Sequence, residues 1–187
     1  MKGSFEFIVG MYSIIIGLGI SRLLEGIKNL VVSSRPLRGT GLYIGMLAIG
    51  LLVHATTWLS LWGLRNVEAW SVWSFLLVML VPVLMFLYSS ITVPDNDRSV
   101  DLGQYYLDSA RKMHGLLIAT ILVNAFAEFV LLRHAASLQL TLTRLGIVAL
   151  LLACAAMPGA KTLHRIVLPT VMVGAALLIH LADFKIL

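Results

Sequence analysis

Residues 41–63 read GLYIGMLAIGLLVHATTWLSLWG, and this stretch decides the fold. It lies between Arg38 and Arg65, and it contains no Asp, Glu, Lys or Arg. A helix that crosses the hydrocarbon core of a bilayer, about 30 Å thick, needs about 20 predominantly apolar residues. The stretch therefore predicts a transmembrane helix.

Five further spans follow from the same criterion. A second uncharged interval, between Glu68 and Asp95, predicts a helix at 69–91. Four more apolar runs carry charges inside or near their ends, and they predict helices at 5–26, 113–132, 140–157 and 162–181. The sequence thus predicts an all-α integral membrane protein, with residues 1–187 forming a single domain of six transmembrane helices.

The overall composition agrees with lipid as the solvent of these helices. Of the 187 residues, 59% are hydrophobic and 12% are charged, and the mean hydropathy is +0.95. Charged residues normally make up about a quarter of a soluble chain. The net charge is +5, but the Lys and Arg residues flank apolar runs, which is typical of contact with phospholipid headgroups rather than of nucleic-acid binding.

The loop before the fourth span contains a further predicted helix, at 101–112. Apolar residues from Leu102 onwards recur there at helical spacing. Asp101 stands at the start and Lys112 at the end, as the helix dipole favours. We expect an amphipathic helix that lies on the inner membrane surface between helices 3 and 4.

The distribution of basic residues predicts that both termini lie outside the cytoplasm. With that orientation nine Lys and Arg residues fall on the cytoplasmic side and five on the other side. The excess of positive charge belongs on the cytoplasmic side. The nine are Arg22, Lys28, Arg35, Arg38, Arg98, Arg111, Lys112, Lys161 and Arg165. We therefore expect a multi-pass protein of the cell membrane.

Polar side chains inside the predicted spans are the candidate functional residues, because such groups are costly in lipid. They are His54, Asn124, Glu128, Arg144, His180 and Asp183. Glu128 and Arg144 each stand eight residues from residue 136, at the apex of a helical hairpin, so we expect them at equal depth and ion-paired. The alternative is a proton or cation site at Glu128. Asn124, one turn before Glu128, extends the same face.

The remaining candidates allow several interpretations. His54, halfway along the second span, is interpreted as a hydrogen-bonded packing residue, with a proton relay and a haem ligand as alternatives. His180 and Asp183 share one face of the last helix, where a carboxylate can orient an imidazole. Together with Glu6 and Glu128 they would form a polar vestibule on the outer side if helices 1, 4 and 6 are neighbours.

Cofactors and metals are not predicted. Bound haem needs two histidines at matched depth, and His114 and His164 satisfy that condition, but we expect both to face lipid headgroups. Cys154 is the single cysteine, so we expect no intrachain disulfide and no cysteine metal site, only a small buried apolar side chain. No catalytic motif for phosphate transfer, zinc hydrolysis or serine nucleophiles is present, so an enzyme is not predicted.

Two functional hypotheses of different classes remain open. The first is a small channel or transporter for protons, ions or a small solute. The second is a non-catalytic accessory or sensor subunit that packs on a larger membrane partner, and a membrane haem protein is a third hypothesis. Ser13, Gly17 and Ser21 recur every four residues, and such small side chains favour close helix contact in a homo-oligomer or larger complex.

Overall fold

The computed structural model describes residues 2–32, 40–67, 69–95, 101–132 and 137–181. These residues form α-helices, one short 3-10 helix at Trp62–Leu64 and no strand. The α-helices are α1 Lys2–Val32, α2 Gly41–Leu61, α3 Val72–Thr92, α4 Leu102–Leu132, α5 Leu138–Ala156 and α6 Lys161–Leu181. Within the described ranges, six helices are long and apolar enough to cross a membrane, as a multi-pass membrane protein requires.

Serine side chains set the starts of two helices. The backbone N–H of Ser74 donates to Ser71 Oγ at 3.1 Å, and that of Leu140 donates to Ser137 Oγ at 3.2 Å. Such a cap satisfies an N–H that has no partner within the helix and contributes about 1 kcal/mol. These caps begin α3 later and α5 earlier than the charge pattern predicts.

Helix α4 includes residues 102–112, which the sequence predicts as part of a separate amphipathic helix. It runs through 31 residues without a break, and Tyr106 in its second turn is fully buried. Tyr105 donates from its hydroxyl to the carbonyl of Ile91 at 2.6 Å, which ties this end of α4 to α3. At about 1.5 Å per residue α4 is about 46 Å long, more than the hydrocarbon core of a bilayer requires.

Helix α2 is the centre of the bundle. It packs against α1 and α3 on one side and against α4 and α6 on the other. The remaining contacts, α1 with α3, α3 with α4, α4 with α5 and α5 with α6, form a series of neighbours from α1 to α6, and α2 packs on both ends of this series. Residues on opposite faces of α2 therefore belong to different environments.

Close helix contacts occur at glycines of α1 and α2. A Cβ atom at Gly50 would lie 2.8 Å from the Tyr88 ring and 2.9 Å from Leu23, and a Cβ atom at Gly19 would overlap His54 Nε2. A Cβ atom at Gly17 would meet nothing within 4 Å. The predicted stripe around Gly17 thus does not mediate close packing between the described helices.

Helix α1 extends past its predicted end at residue 26 and continues to Val32. Near the predicted end, Arg22 donates to Glu25, one turn later, at 2.5 Å, and it also pairs with Asp95 beyond the end of α3. Its guanidinium further donates to the carbonyl of Val93 at 3.2 Å. These contacts tie the C-terminal part of α1 to the end of α3.

Alanine substitutions at two glycines of α1 test this packing. We expect Gly19→Ala to lower the free energy of unfolding by roughly 1–3 kcal/mol, because the new methyl group displaces a histidine that is held by hydrogen bonds. Gly17→Ala, on the exposed side of the same helix, should be neutral or stabilising by up to about 1 kcal/mol. Unfolding of both variants in detergent micelles measures the difference, and equal stabilities would contradict the packing at Gly19.

Candidate functional site

A cleft of about 380 Å³ lies between α2, α4, α5 and α6. Its end near the connection from α4 to α5 is polar, and its opposite end is apolar. The charged and amide side chains, Asn124, Glu128 and Arg144, lie at that end with Ser60 and Ser137. Thr56, Thr57 and Thr120 also line the cleft, and each of their hydroxyls donates to a carbonyl of its own helix. The apolar residues at the far end are Ile49, Leu117, Ile147, Leu151 and Val171. The cleft is thus amphipathic along its length.

The polar end is organised by one ion pair. Arg144 donates from Nη2 to Glu128 Oε2 at 2.7 Å, which confirms the pairing predicted from their equal distance to the hairpin apex. The side chains of Arg144 and Glu128 are 15% and 22% exposed, so the pair is partly shielded from solvent. Partial burial strengthens the attraction between the charges and makes an unpaired charge expensive.

One further side chain extends this ion pair. Asn124 donates from Nδ2 to Glu128 Oε1 at 2.9 Å, as its position one turn earlier predicts. Ser60 on α2 lies beside this group, with its oxygen 3.4 Å from Asn124 Oδ1, and its hydroxyl donates to the Thr57 carbonyl at 2.8 Å. Both oxygens of Glu128 are therefore occupied. Among the described residues no partner is present for the other N–H groups of Arg144, so this side chain offers donors to a ligand in the cleft.

His54 belongs to the opposite face of α2. Its ring is fully buried, Nδ1 lies 2.7 Å from the Gly50 carbonyl and Nε2 lies 3.2 Å from Ser89 Oγ on α3. A carbonyl only accepts, so Nδ1 carries the proton. The hydrogen-bonded packing role that the sequence favours is what the structure shows, and the ring does not reach the cleft.

The predicted vestibule does not form around Glu6. That residue is exposed on α1, which packs on α2 and α3, whereas α6 packs on α2 and α5. His180 lies two residues after Leu178, a lining residue of the cleft, but its side chain and Asp183 lie outside the described residues. Of the two residues whose side chains the structure describes, Glu128 lines the cleft and Glu6 does not.

A second cluster of chemically active side chains lies at the other end of α4. His114, Cys154 and His164 come from α4, α5 and α6, all three are buried, and one ligand atom from each lies within 4.8 Å of the others. The two imidazole rings are 5.4 Å apart, and the Tyr106 ring lies 5.3 Å from that of His164. The expectation that both histidines face headgroups is wrong, because neither is exposed at all.

The sequence held a signal for this cluster. Cys154 and His164 stand at similar distances from the turn at Pro158 and Gly159, whereas His114 stands 22 residues and Cys154 18 residues from residue 136. The depth argument that predicts the Glu128–Arg144 pair therefore places Cys154 and His164 at similar depth, and His114 within about one helical turn of them. The edge-to-face packing of the rings leaves no gap between them for a porphyrin, so the cluster does not favour the haem hypothesis.

Comparison with protein families, with curated proteins and with solved structures finds no match to this chain. The chemistry of the cleft is accordingly argued from its own residues. The defining feature of the cleft is an ion pair with no net charge, which lies beside an apolar chamber.

A double-mutant cycle tests the energetic role of the ion pair. We expect Glu128→Gln and Arg144→Gln each to lower the free energy of unfolding by about 1–3 kcal/mol, because each leaves a partly buried charge without its partner. The double variant should lose less than the sum, with a coupling energy of about 0.5–3 kcal/mol. Thermal or denaturant unfolding in micelles measures these values. Strict additivity would show that the two charges do not interact.

Proposed function

We propose that this chain is a multi-pass protein of the cell membrane whose cleft binds a small, partly apolar solute in a transporter-like bundle. The observation that carries the proposal is the amphipathic cleft, with the Glu128–Arg144 network at one end and an apolar chamber at the other. Ligand sites are typically concave and mostly apolar, with a few polar groups that fix orientation.

Insertion in the membrane is supported by the outer faces of the helices. Large apolar side chains point outward on several helices, and Phe7, Phe126, Phe129, Leu142 and Val173 are each more than half exposed. A contiguous apolar surface of this extent aggregates in water but is matched by acyl chains. In this arrangement the first turns of α4 lie at the inner membrane surface.

The lining of the cleft indicates the chemistry of the solute. Arg144 has N–H donors that Glu128 does not use, and they suit a carboxylate or carbonyl group. Leu117 and Leu151 at the far end suit a hydrocarbon body. We expect a small molecule with one accepting group and an apolar remainder.

A proton or ion path through a single chain receives less support. Such a path would have to pass both His54 and Glu128, but these residues lie on opposite sides of α2. His54 is enclosed by Gly19, Gly50 and Ser89, and the far end of the cleft is apolar. Ions need continuous polar groups or water to replace their hydration shell.

Bound small molecules provide the test. We expect wild-type protein, transferred from its native membrane into nanodiscs, to release about one solute molecule per chain on denaturation. Ala125→Phe places a ring in the cleft and should abolish that retention. Ala176→Phe introduces the same ring at an exposed position outside the cleft lining and should preserve it.

Mass spectrometry of the released molecules compares the three proteins. Equal amounts from wild type, Ala125→Phe and Ala176→Phe would show that the molecules come from surrounding lipid, and the binding proposal would be wrong. Thermal unfolding of each variant confirms that the comparison uses folded protein.

The accessory or sensor subunit is the second candidate. The observation that favours it is the exposed position of Gly17 and Ser21, which leaves the small-residue stripe of α1 open to another helix. A partner subunit, or a second copy of this chain, could approach closely there. A cleft that retains no solute in the test above would favour this candidate.

We further propose that both termini face away from the cytoplasm, as the charge distribution predicts. Six spans place the two ends on the same side, so one orientation governs both. Alkaline phosphatase fused to the C-terminus in a bacterial host should be active, and a green fluorescent protein fusion there should be dark. An inactive phosphatase fusion and a fluorescent green fluorescent protein fusion would show that both termini face the cytoplasm, and they would leave the fold as described.

A further inference from the structure

We propose that His114, Cys154 and His164 form a buried binding site for a late first-row transition-metal ion, zinc or copper. The site lies beyond the apolar end of the cleft, so it stands independently of the proposed solute binding. Three consecutive helices, α4, α5 and α6, each contribute one ligand. Nitrogen and thiolate sulfur are the donors that these two metals prefer in proteins.

The spacing of the donor atoms fits a shared ion. One atom from each residue lies within 4.8 Å of the other two. Bond lengths of about 2.0 Å to imidazole and about 2.3 Å to thiolate place ligand atoms roughly 3.3–3.6 Å apart in tetrahedral geometry. Movements of about 1 Å, within the range of small side-chain rotations, bring the three donors to one ion.

His164 is oriented as metal-binding histidines are. Its Nε2 lies 3.1 Å from the carbonyl of Met157, which only accepts, so Nε2 carries the proton and Nδ1 presents its lone pair. A carbonyl that accepts from the second ring nitrogen commonly fixes the orientation of a ligating imidazole. In the structure the Tyr106 hydroxyl donates to this Nδ1, so a metal that binds Nδ1 takes the place of that hydrogen bond.

His114 supplies the independent observation. Its side chain is fully buried, and among the residues that the structure describes no group meets hydrogen-bond geometry with either ring nitrogen. The Ala110 carbonyl, one turn earlier, lies near the ring without meeting hydrogen-bond geometry. A buried polar group without a partner costs about 1–3 kcal/mol, so simple core packing does not explain a histidine here. A metal bond would satisfy one nitrogen, and Ala110 is placed to accept from the other.

Charge balance distinguishes the two metals. Three ligands with one thiolate carry a charge of −1, which neutralises Cu⁺ within a trigonal site. Zn²⁺ prefers four ligands and would need a second anion, and the Tyr106 hydroxyl at His164 is the group placed to provide it. Since a net charge is costly in a buried site, copper should bind without Tyr106 and zinc should require it.

Direct metal binding tests the site. The protein is produced without a histidine tag, kept reduced, stripped with a chelator and then titrated with Zn²⁺ or with Cu⁺. We expect about one ion per chain for at least one of the two metals. Cys154→Ser, His114→Asn and His164→Gln should each weaken binding by at least ten- to hundredfold. His54→Asn removes a described histidine that lies on the face of α2 toward α1 and α3, outside the cluster, and this variant should bind metal as wild type does.

Optical spectra of the metal-loaded wild-type protein test the same ligands without any variant, in case the variants do not fold. Cys154 is the only thiol, so a thiolate-to-metal absorption band in wild-type protein loaded with Cu⁺, or with Co²⁺ as a zinc surrogate, assigns it as a ligand. Tyr106→Phe should abolish tight zinc binding and leave copper binding intact. A wild-type protein that binds neither metal, or binds metal without a thiolate band, would overturn the site.

Discussion

Polar groups inside an apolar helical bundle depend on one another, because no water reaches them to satisfy their hydrogen bonds or charges. This constraint accounts for the polar end of the cleft, where the partly buried Glu128 and Arg144 neutralise each other. Where a buried polar group has no such partner, as at His114, the structure contains a position that packing alone does not explain.

Helix α4 connects the two candidate sites. Asn124 and Glu128 on its C-terminal half form the polar end of the cleft, and Tyr106 and His114 on its N-terminal half belong to the histidine cluster. Apolar residues, including Leu117, separate the two sites along the same helix. A solute in the cleft and a metal in the cluster would therefore not touch the same side chains, although both would stabilise the contacts of α4 with α5 and α6.

Helix α2 likewise has two faces with different surroundings. Its face toward α1 and α3 is closed by glycine contacts and by His54, which makes two hydrogen bonds in a fully buried position. Its other face contributes Ser60 and neighbouring residues to the open cleft. A histidine and a glutamate that both lie within apolar helices thus have unrelated roles, since one stabilises helix packing and the other lines a chamber.

The sequence by itself determined the six apolar helices, since uncharged intervals such as 41–63 can satisfy their backbone only as helices in an apolar solvent. It also determined the Glu128–Arg144 pair, because adjacent antiparallel helices place residues at equal distances from their connection at equal depth. Which face of each helix meets which neighbour became known from the tertiary structure. That choice buried His114 and His164 beside Cys154 and turned His54 away from the cleft, and it depends on side-chain packing between helices, which hydrophobicity along the chain does not encode.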